Sequence, residues 1–262
     1  MNGLTIVKVG GGVVEEEASL AQLLDGFASL EGGKALVHGG GRSATKISEK
    51  LGIQARMVEG RRVTDAETLR VVTMVYAGLV NKNIVAQLQA RGVNAMGFTG
   101  ADLGVILSSK RPPKKMSDGQ VVDFGFVGDV KKVDTAILSG LIGQGAVPVM
   151  SPITHDGQGN LLNTNADTIA SELARAMAQT TPVRLVYCFE KPGVLLDAND
   201  DSTVIPTLDY KTFKEYQATG VVAAGMIPKL DNGFDAIRQG VASVVITNVE
   251  GLKSGLGTTL TL

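Results

Sequence analysis

Short runs of consecutive apolar residues alternate along this chain with longer stretches in which apolar side chains recur at every third or fourth position. The strand-length runs are Leu4 to Val9, Ala35 to His38, Val93 to Phe98, Ala146 to Ser151, Val183 to Cys188 and Val241 to Thr247. The longer stretches predict helices over Glu15 to Leu30, Ser43 to Leu51, Thr135 to Gly143, Ala166 to Ala178, Tyr210 to Thr219 and Met226 to Gln239. One more helix starts at Thr64-Asp65-Ala66-Glu67, where the Thr and Glu spacing matches a capping box, and runs in pieces towards Arg91. Strands alternating with helices predict an α/β fold with a largely parallel sheet covered by helices.

Leu103 to Val133 and His155 to Asn163 break the alternation and carry turn chemistry: Arg-Pro-Pro, Ser-Asp-Gly and His-Asp-Gly. They read as β-hairpins or excursions. No repeat, low-complexity tract or Pro- or Ser-rich linker is present, so two lobes, if they exist, meet near the hairpin around Asp156, with the sheet continuing across. This places an N-terminal lobe at 1–160 and a C-terminal lobe at 161–262.

The 262 residues are enough for a sizeable core. Lys and Arg number 25 against 26 Asp and Glu, so no bulk field attracts nucleic acid or an anionic membrane, and an anionic ligand must be held by local groups. The N-terminus lacks the marks of a signal peptide, and no run approaches the roughly 20 uninterrupted apolar residues of a membrane helix. A cytoplasmic protein is expected. Cys188, the single cysteine, reads as a small buried hydrophobe.

Glycines change the picture. The first strand ends in Lys8-Val9-Gly10-Gly11-Gly12 and the second in His38-Gly39-Gly40-Gly41, each before a helix. Glycine lets backbone N–H groups approach an anion, and a helix N-terminus adds partial positive charge, so a phosphate or carboxylate belongs there. No P-loop sequence is present. Gly39, Gly41 and Ala44 satisfy a dinucleotide Gly-x-Gly-x-x-Ala pattern, with Glu59 about 20 residues later as a ribose acid, but in the second βα turn and not the first. Asn163-Thr164-Asn165-Ala166-Asp167 precedes a helix and reads either as an Asx turn with an N-cap or as a polar ligand site. Ala224-Gly225-Met226-Ile227-Pro228-Lys229 brings a second lysine to a Gly-led helix start; the plain alternative is an ordinary exposed lysine.

Together with Glu-Gly-Arg-Arg-Val-Thr at 59–64, Asp-Phe-Gly-Phe-Val-Gly-Asp-Val at 123–130 and Gly-Leu-Gly-Thr-Thr-Leu near the end, these pieces resemble the amino-acid-kinase family over nearly the whole chain, and within it the kinases of N-acylglutamate. The resemblance implies an open αβα sandwich, with the N-terminal lobe binding the acylated amino acid and the C-terminal lobe binding ATP. It implies that Lys8 and Lys229 contact the transferred phosphoryl group and that Asp167 organises both lysines. Gly40, Gly41, Arg62, Asn163 and Asn165 become substrate contacts, Arg62 and Asn163 holding the α-carboxylate. Gly11, Glu190, Lys191, Gly193, Val194, Leu195 and Gly225 become nucleotide contacts. Phe189-Glu190 stands where many relatives have Ser-Asp or Thr-Asp, and Thr247 to Gly257 also departs from their pattern.

The implied reaction is ATP-dependent phosphorylation of the side-chain carboxylate of N-acetyl- or N-succinylglutamate in arginine biosynthesis, with Mg²⁺ carried mainly by nucleotide oxygens and no protein ligand. A carboxylate nucleophile is already ionised at neutral pH and needs no general base. Two other classes compete: an NAD(P)-dependent oxidoreductase built on Gly39 to Ala44, and a non-catalytic amino-acid-binding relative. The first leaves Lys229 and Asn163 to Asp167 unexplained, and both lysines with Asp167 argue against the second. The resemblance also implies a homodimer, joined near the helix that starts at Asp65. Only Met1, Asn2 and Gly3 precede the first strand, so a dimer insensitive to arginine is expected, the hexamer-forming N-terminal helix of arginine-inhibited members having no counterpart.

Overall fold

The computed structural model describes residues 3–59, 61–116, 118–222 and 225–262. Among these, eight strands form one central sheet: β1 (Leu4–Val9), β2 (Gly33–His38), β3 (Ala95–Phe98), β4 (Val147–Met150), β5 (Val183–Phe189), β6 (Thr207–Asp209), β7 (Ser243–Asn248) and β8 (Thr258–Thr261). Their order is β6-β8-β7-β5-β1-β2-β4-β3, and every neighbouring pair is parallel except β7 with β8.

The helices are α1 (Gly11–Glu15), α2 (Glu17–Ala28), α3 (Gly41–Lys50), α4 (Ala66–Thr73), α5 (Asn81–Gln89), α6 (Thr135–Gly143), α7 (Ala166–Ala178), α8 (Tyr210–Thr219), α9 (Ile227–Arg238) and α10 (Val249–Ser254). Leu4 and Ile6 of β1 join the core beneath α6 to α9, while Val7 and Val9 join that beneath α1 to α5 and α10. A strand covered on both faces needs apolar side chains throughout, which is why these runs do not alternate.

The expected helices at 135–143, 166–178 and 210–219 form with those bounds, each preceded by an Asp or Asn that accepts from a first-turn amide. The single helix expected over Glu15 to Leu30 is broken. α1 begins at Gly11, and Glu16 interrupts it and caps α2 by accepting from the amides of Ala18 and Ser19. The capping box expected at Thr64 is also corrected: Asp65 caps α4 by accepting from Thr68 N at 2.8 Å, which frees the Thr64 hydroxyl.

A π-helical turn, Met74–Val80, joins α4 to α5. The resulting 24-residue helix, Ala66–Gln89, is long and apolar enough to cross a membrane by length and composition. It buries Val71, Val72, Val75, Ile84 and Leu88 in the core beneath the sheet, as a flanking helix of an α/β fold does.

The two excursions form a second four-stranded sheet in the order Leu161–Asn163, Ile153–His155, Ile106–Lys110 and Gly128–Val133. Its first two strands are the hairpin around Asp156, so a division after residue 160 falls within that hairpin, while β1 of one lobe and β5 of the other run side by side. Met1 and Asn2, part of the short N-terminal segment, lie outside the described residues, as do Gly60, Ser117 and Ala224 of the motifs above.

Candidate active site

β1 and β2 end in register, Val9 beside His38, and each passes through glycines into a helix. Two helix N-termini without side-chain caps therefore meet at the carboxyl edge of the sheet, the usual ligand edge of an open parallel sheet. A cavity of about 240 Å³ opens there. It gathers Lys8, Gly11, Gly40, Gly41, Arg62, Asn163, Asn165 and Asp167, eight of the residues singled out in the sequence, and adds Arg61, Tyr76 and Arg111.

Lys8 is 6% exposed, and its Nζ lies 2.7 Å from Asp167 Oδ1, in the first turn of α7. A lysine this deep stays in a protein core only when its charge is compensated. Arg62 is also buried; its Nη2 donates to Gly41 O at 3.0 Å and to Thr45 Oγ1 at 2.8 Å, while Nη1 has no hydrogen-bond partner among the described residues. A buried guanidinium nitrogen without an acceptor is a seat for an anion.

Asn163 Nδ2 donates to the freed Thr64 hydroxyl at 3.0 Å. Asn165 caps α7 through an oxygen that accepts from Thr168 N at 3.1 Å, so its capping role coexists with a place in the pocket wall. Beneath the second glycine turn, Tyr76 lies so close that a Cβ at position 40 would stand 2.9 Å from its Cδ1, and only glycine fits. Burial pushes the Tyr76 phenol up, with the Arg62 charge opposing.

His38 is wholly buried and forms the floor. Its Nδ1 donates to Gly39 O at 2.7 Å, which leaves Nε2 to accept from Asn81 Nδ2 at 3.0 Å, and Asn81 Nδ2 also reaches Val149 O at 2.9 Å. Burial lowers its pKa to about 4. It is a neutral strut and not a base. Cys188 is free and buried, its thiol raised to about 12 first by burial and then by the charge of Glu190, as a core hydrophobe should be.

The remaining expected residues lie outside that cavity. Lys229 donates to Gly225 O at 3.2 Å, and no ion pair joins it to Asp167 among the described residues, so Asp167 reaches Lys8 alone. Lys191 pairs with Asp201 at the surface. Val194 and Leu195 are buried, and Val194 N donates to Thr258 Oγ1, which also stands against Gly193. Glu190 lies 3.8 Å from Arg42 and lines a second cavity of about 310 Å³ with Gly12, Phe189, Asn248 and Glu250. The divergent 247–257 segment thus forms the far wall of this cavity and then α10, which Asn248 caps.

Residues 3–248 match the model of the amino acid kinase family. The chain belongs to that family. Acetylglutamate kinase of Bacteroides thetaiotaomicron is 63% identical over 255 residues, covering 97% of each chain. That of Methanopyrus kandleri is 42% identical over 255 residues, covering 97% of this chain and 99% of its own. Among solved structures, smu.665 from Streptococcus mutans superposes with a TM-score of 0.80 at 24% identity, covering 100% of this chain and 99% of the other. N-acetylglutamate synthase from Neisseria gonorrhoeae, complexed with coenzyme A and N-acetylglutamate, gives 0.79 at 21%, covering 99% of this chain and 59% of that one. The last two likenesses concern the amino acid kinase fold alone. Gly39 to Ala44 is therefore an amino acid kinase glycine turn, and nothing favours the dinucleotide reading.

Proposed function

We propose that this chain transfers the γ-phosphoryl group of ATP to the side-chain carboxylate of N-acetyl-L-glutamate, an early step of arginine biosynthesis, in the cytoplasm. The observation that carries the reading is one small pocket with two separate anion seats, the Lys8–Asp167 pair and the unpartnered Nη1 of Arg62, flanked by glycine turns. An N-acylglutamate has two carboxylates to fill them. Arg62 takes the α-carboxylate beside Asn163 and Asn165, and the side-chain carboxylate lies towards Lys8.

The nucleophile is ionised before it reacts, and the neutral, fully bonded His38 fits a reaction without a general base. Catalysis then consists of alignment and of offsetting charge as two anions meet, which Lys8, Lys229 and the backbone amides at Gly40 and Gly41 supply. No group of three or more His, Cys, Asp or Glu side chains converges on a metal position among the described residues. The magnesium ion would be carried mainly by the oxygens of the nucleotide and by water. Glu190, Lys191, Gly193, Val194, Leu195 and Gly225 form the ATP side, with Gly11 contributed from the other lobe, so 161–262 binds ATP and 1–160 binds the acylated amino acid. A homodimer belongs to the same reading, with Met74 and Leu79, 57% and 54% exposed on the Ala66–Gln89 helix, supporting a partner there.

N-succinylglutamate is a second substrate worth a direct assay, because Arg61 lines the same cavity beside the Arg111–Asp129 pair and would suit a third carboxylate. Purified protein is incubated with ATP, magnesium and each acyl acid, and the acyl phosphate is trapped with hydroxylamine. Hydroxamate and ADP in equal amounts are expected. Failure on both acyl acids would overturn the reading.

A further inference from the structure

Phe189 closes β5 where Lys8 and Lys229 come together. The Nζ of Lys8 lies over its ring 5.2 Å from the centre, and that of Lys229 lies over the same ring at 4.9 Å. Both distances are inside the roughly 6 Å limit for attraction between an ammonium and an aromatic quadrupole.

The ring is itself held. Phe189 is 7% exposed and stacks on Tyr187 at 6.1 Å with the planes 12° apart. A Cβ at position 10 would stand only 3.0 Å from its Cδ1, so the glycine after β1 lets the ring sit against the first turn. The two lysines differ in their other partners. Lys8 has Asp167, whereas Lys229 has a carbonyl of its own helix approach. Without the ring, nothing described ties Lys229 to the neighbourhood of Lys8.

We propose that Phe189 is a positioning residue that gathers both lysines onto one aromatic ring, ready for the transferred phosphoryl group. This rests on the reading that the two lysines act on that group. The choice of partner has a physical logic. Two ammonium groups brought together repel, and a second carboxylate would draw them in only by cancelling charge that the phosphoryl oxygens need. An aromatic face attracts both cations and leaves their charge intact. The hydroxyl of a Ser or Thr could accept a hydrogen bond but offers no such face.

The test replaces Phe189 in the full chain by mono-, di- and pentafluorinated phenylalanine, which keep the shape while draining the quadrupole, and by Phe189→Leu and Phe189→Tyr. The expected result is a stepwise fall in kcat with fluorination, reaching about tenfold for the pentafluoro ring. KM for the acyl acid should hold, Phe189→Leu should match the pentafluoro variant, and Phe189→Tyr should retain turnover. A flat kcat across the fluorinated series, or a rise confined to KM for ATP, would overturn the proposal. An arm independent of activity reads the Cε protons of Lys8 and Lys229 by NMR. Upfield ring-current shifts that vanish in Phe189→Leu are expected, and their absence in the unsubstituted protein overturns the proposal whatever the enzyme phosphorylates.

Discussion

The proposed acyl-acid side and the proposed nucleotide side of the site are built to different standards of order. On the proposed acyl-acid side most polar side chains have a partner from a distant element: Arg62 Nη2 on Gly41 and Thr45, Asn163 on Thr64, Asn81 under His38, Asp167 on Lys8. On the nucleotide side Lys191 and Glu190 make surface pairs, and Lys229 bonds a carbonyl four residues away. On the proposed assignment, the contrast teaches that the small substrate would meet a surface set in advance, whereas the larger one would meet groups paired only at the surface or within one helix approach. Preorganised dipoles contribute most where charge develops, which is why order is concentrated around the carboxylate that attacks.

The lysines offer the largest test of that contrast. Lys8→Ala and Lys229→Ala should each lower kcat a hundred- to a thousandfold, about 3 to 4 kcal/mol. Stability should separate them, because only the loss of Lys8 leaves Asp167 with an uncompensated charge at 17% exposure. A lower melting temperature is expected for Lys8→Ala alone; equal melting of both variants would erase the distinction between the two sides.

His38 comes next. Its pKa falls from 6.5 unfolded to about 4 folded, so the unfolded chain binds the extra proton first as pH drops. The neutral state's contribution is fully present above pH 6.5 and is lost progressively towards pH 4, by about 3 kcal/mol in all. Denaturant titrations between those limits should show this slope in the parent and a shallower one in His38→Gln. Parallel slopes would mean that the floor of the glycine turn is not what acid attacks.

Arg62→Lys should raise KM for the acyl acid about tenfold, since a compact ammonium cannot reproduce the planar fork that spans Gly41, Thr45 and a carboxylate. KM for ATP should stay within about twofold, and a larger rise there would show that the sides are not separate. The smallest effect belongs to Lys191→Ala. Its pair with Asp201 is half exposed, so its loss should change stability by less than about 1 kcal/mol in a denaturant titration.

The sheet's long strands were legible because burial on both faces demands uninterrupted apolar runs, and α6, α7 and α8 because Asp134, Asn165 and Asp209 announce them. β6 and β8 escaped notice, being short and rich in threonine, with no period long enough to read. At Thr64 two capping residues stand side by side; Asp65 caps, and the Thr64 hydroxyl takes a tertiary contact with Asn163 that nothing nearby in the chain announces. Among the site residues, those in glycine turns and at helix starts could be found, because their chemistry is local. Tyr76, Asn81 and Thr45 could not, since nothing near them in the chain records that Gly40, His38 and Arg62 will be their neighbours. At Phe189 the sequence showed only a missing hydroxyl; the ring's two cations come from opposite ends of the chain.

The turn at Met74–Val80 has a consequence for how this protein can vary. In an α-helix, residues five apart look in directions about 140° different, but where hydrogen bonds skip five residues they are brought towards the same face. Tyr76 and Asn81 are such a pair, and both press on the second glycine turn, one against Gly40 and one through His38. Losing one residue anywhere in that turn would swing one of them away. Substitutions there can be absorbed by degrees, but a change of length is all or nothing, so insertions and deletions should spare this stretch of helix while they accumulate in the excursions of the second sheet.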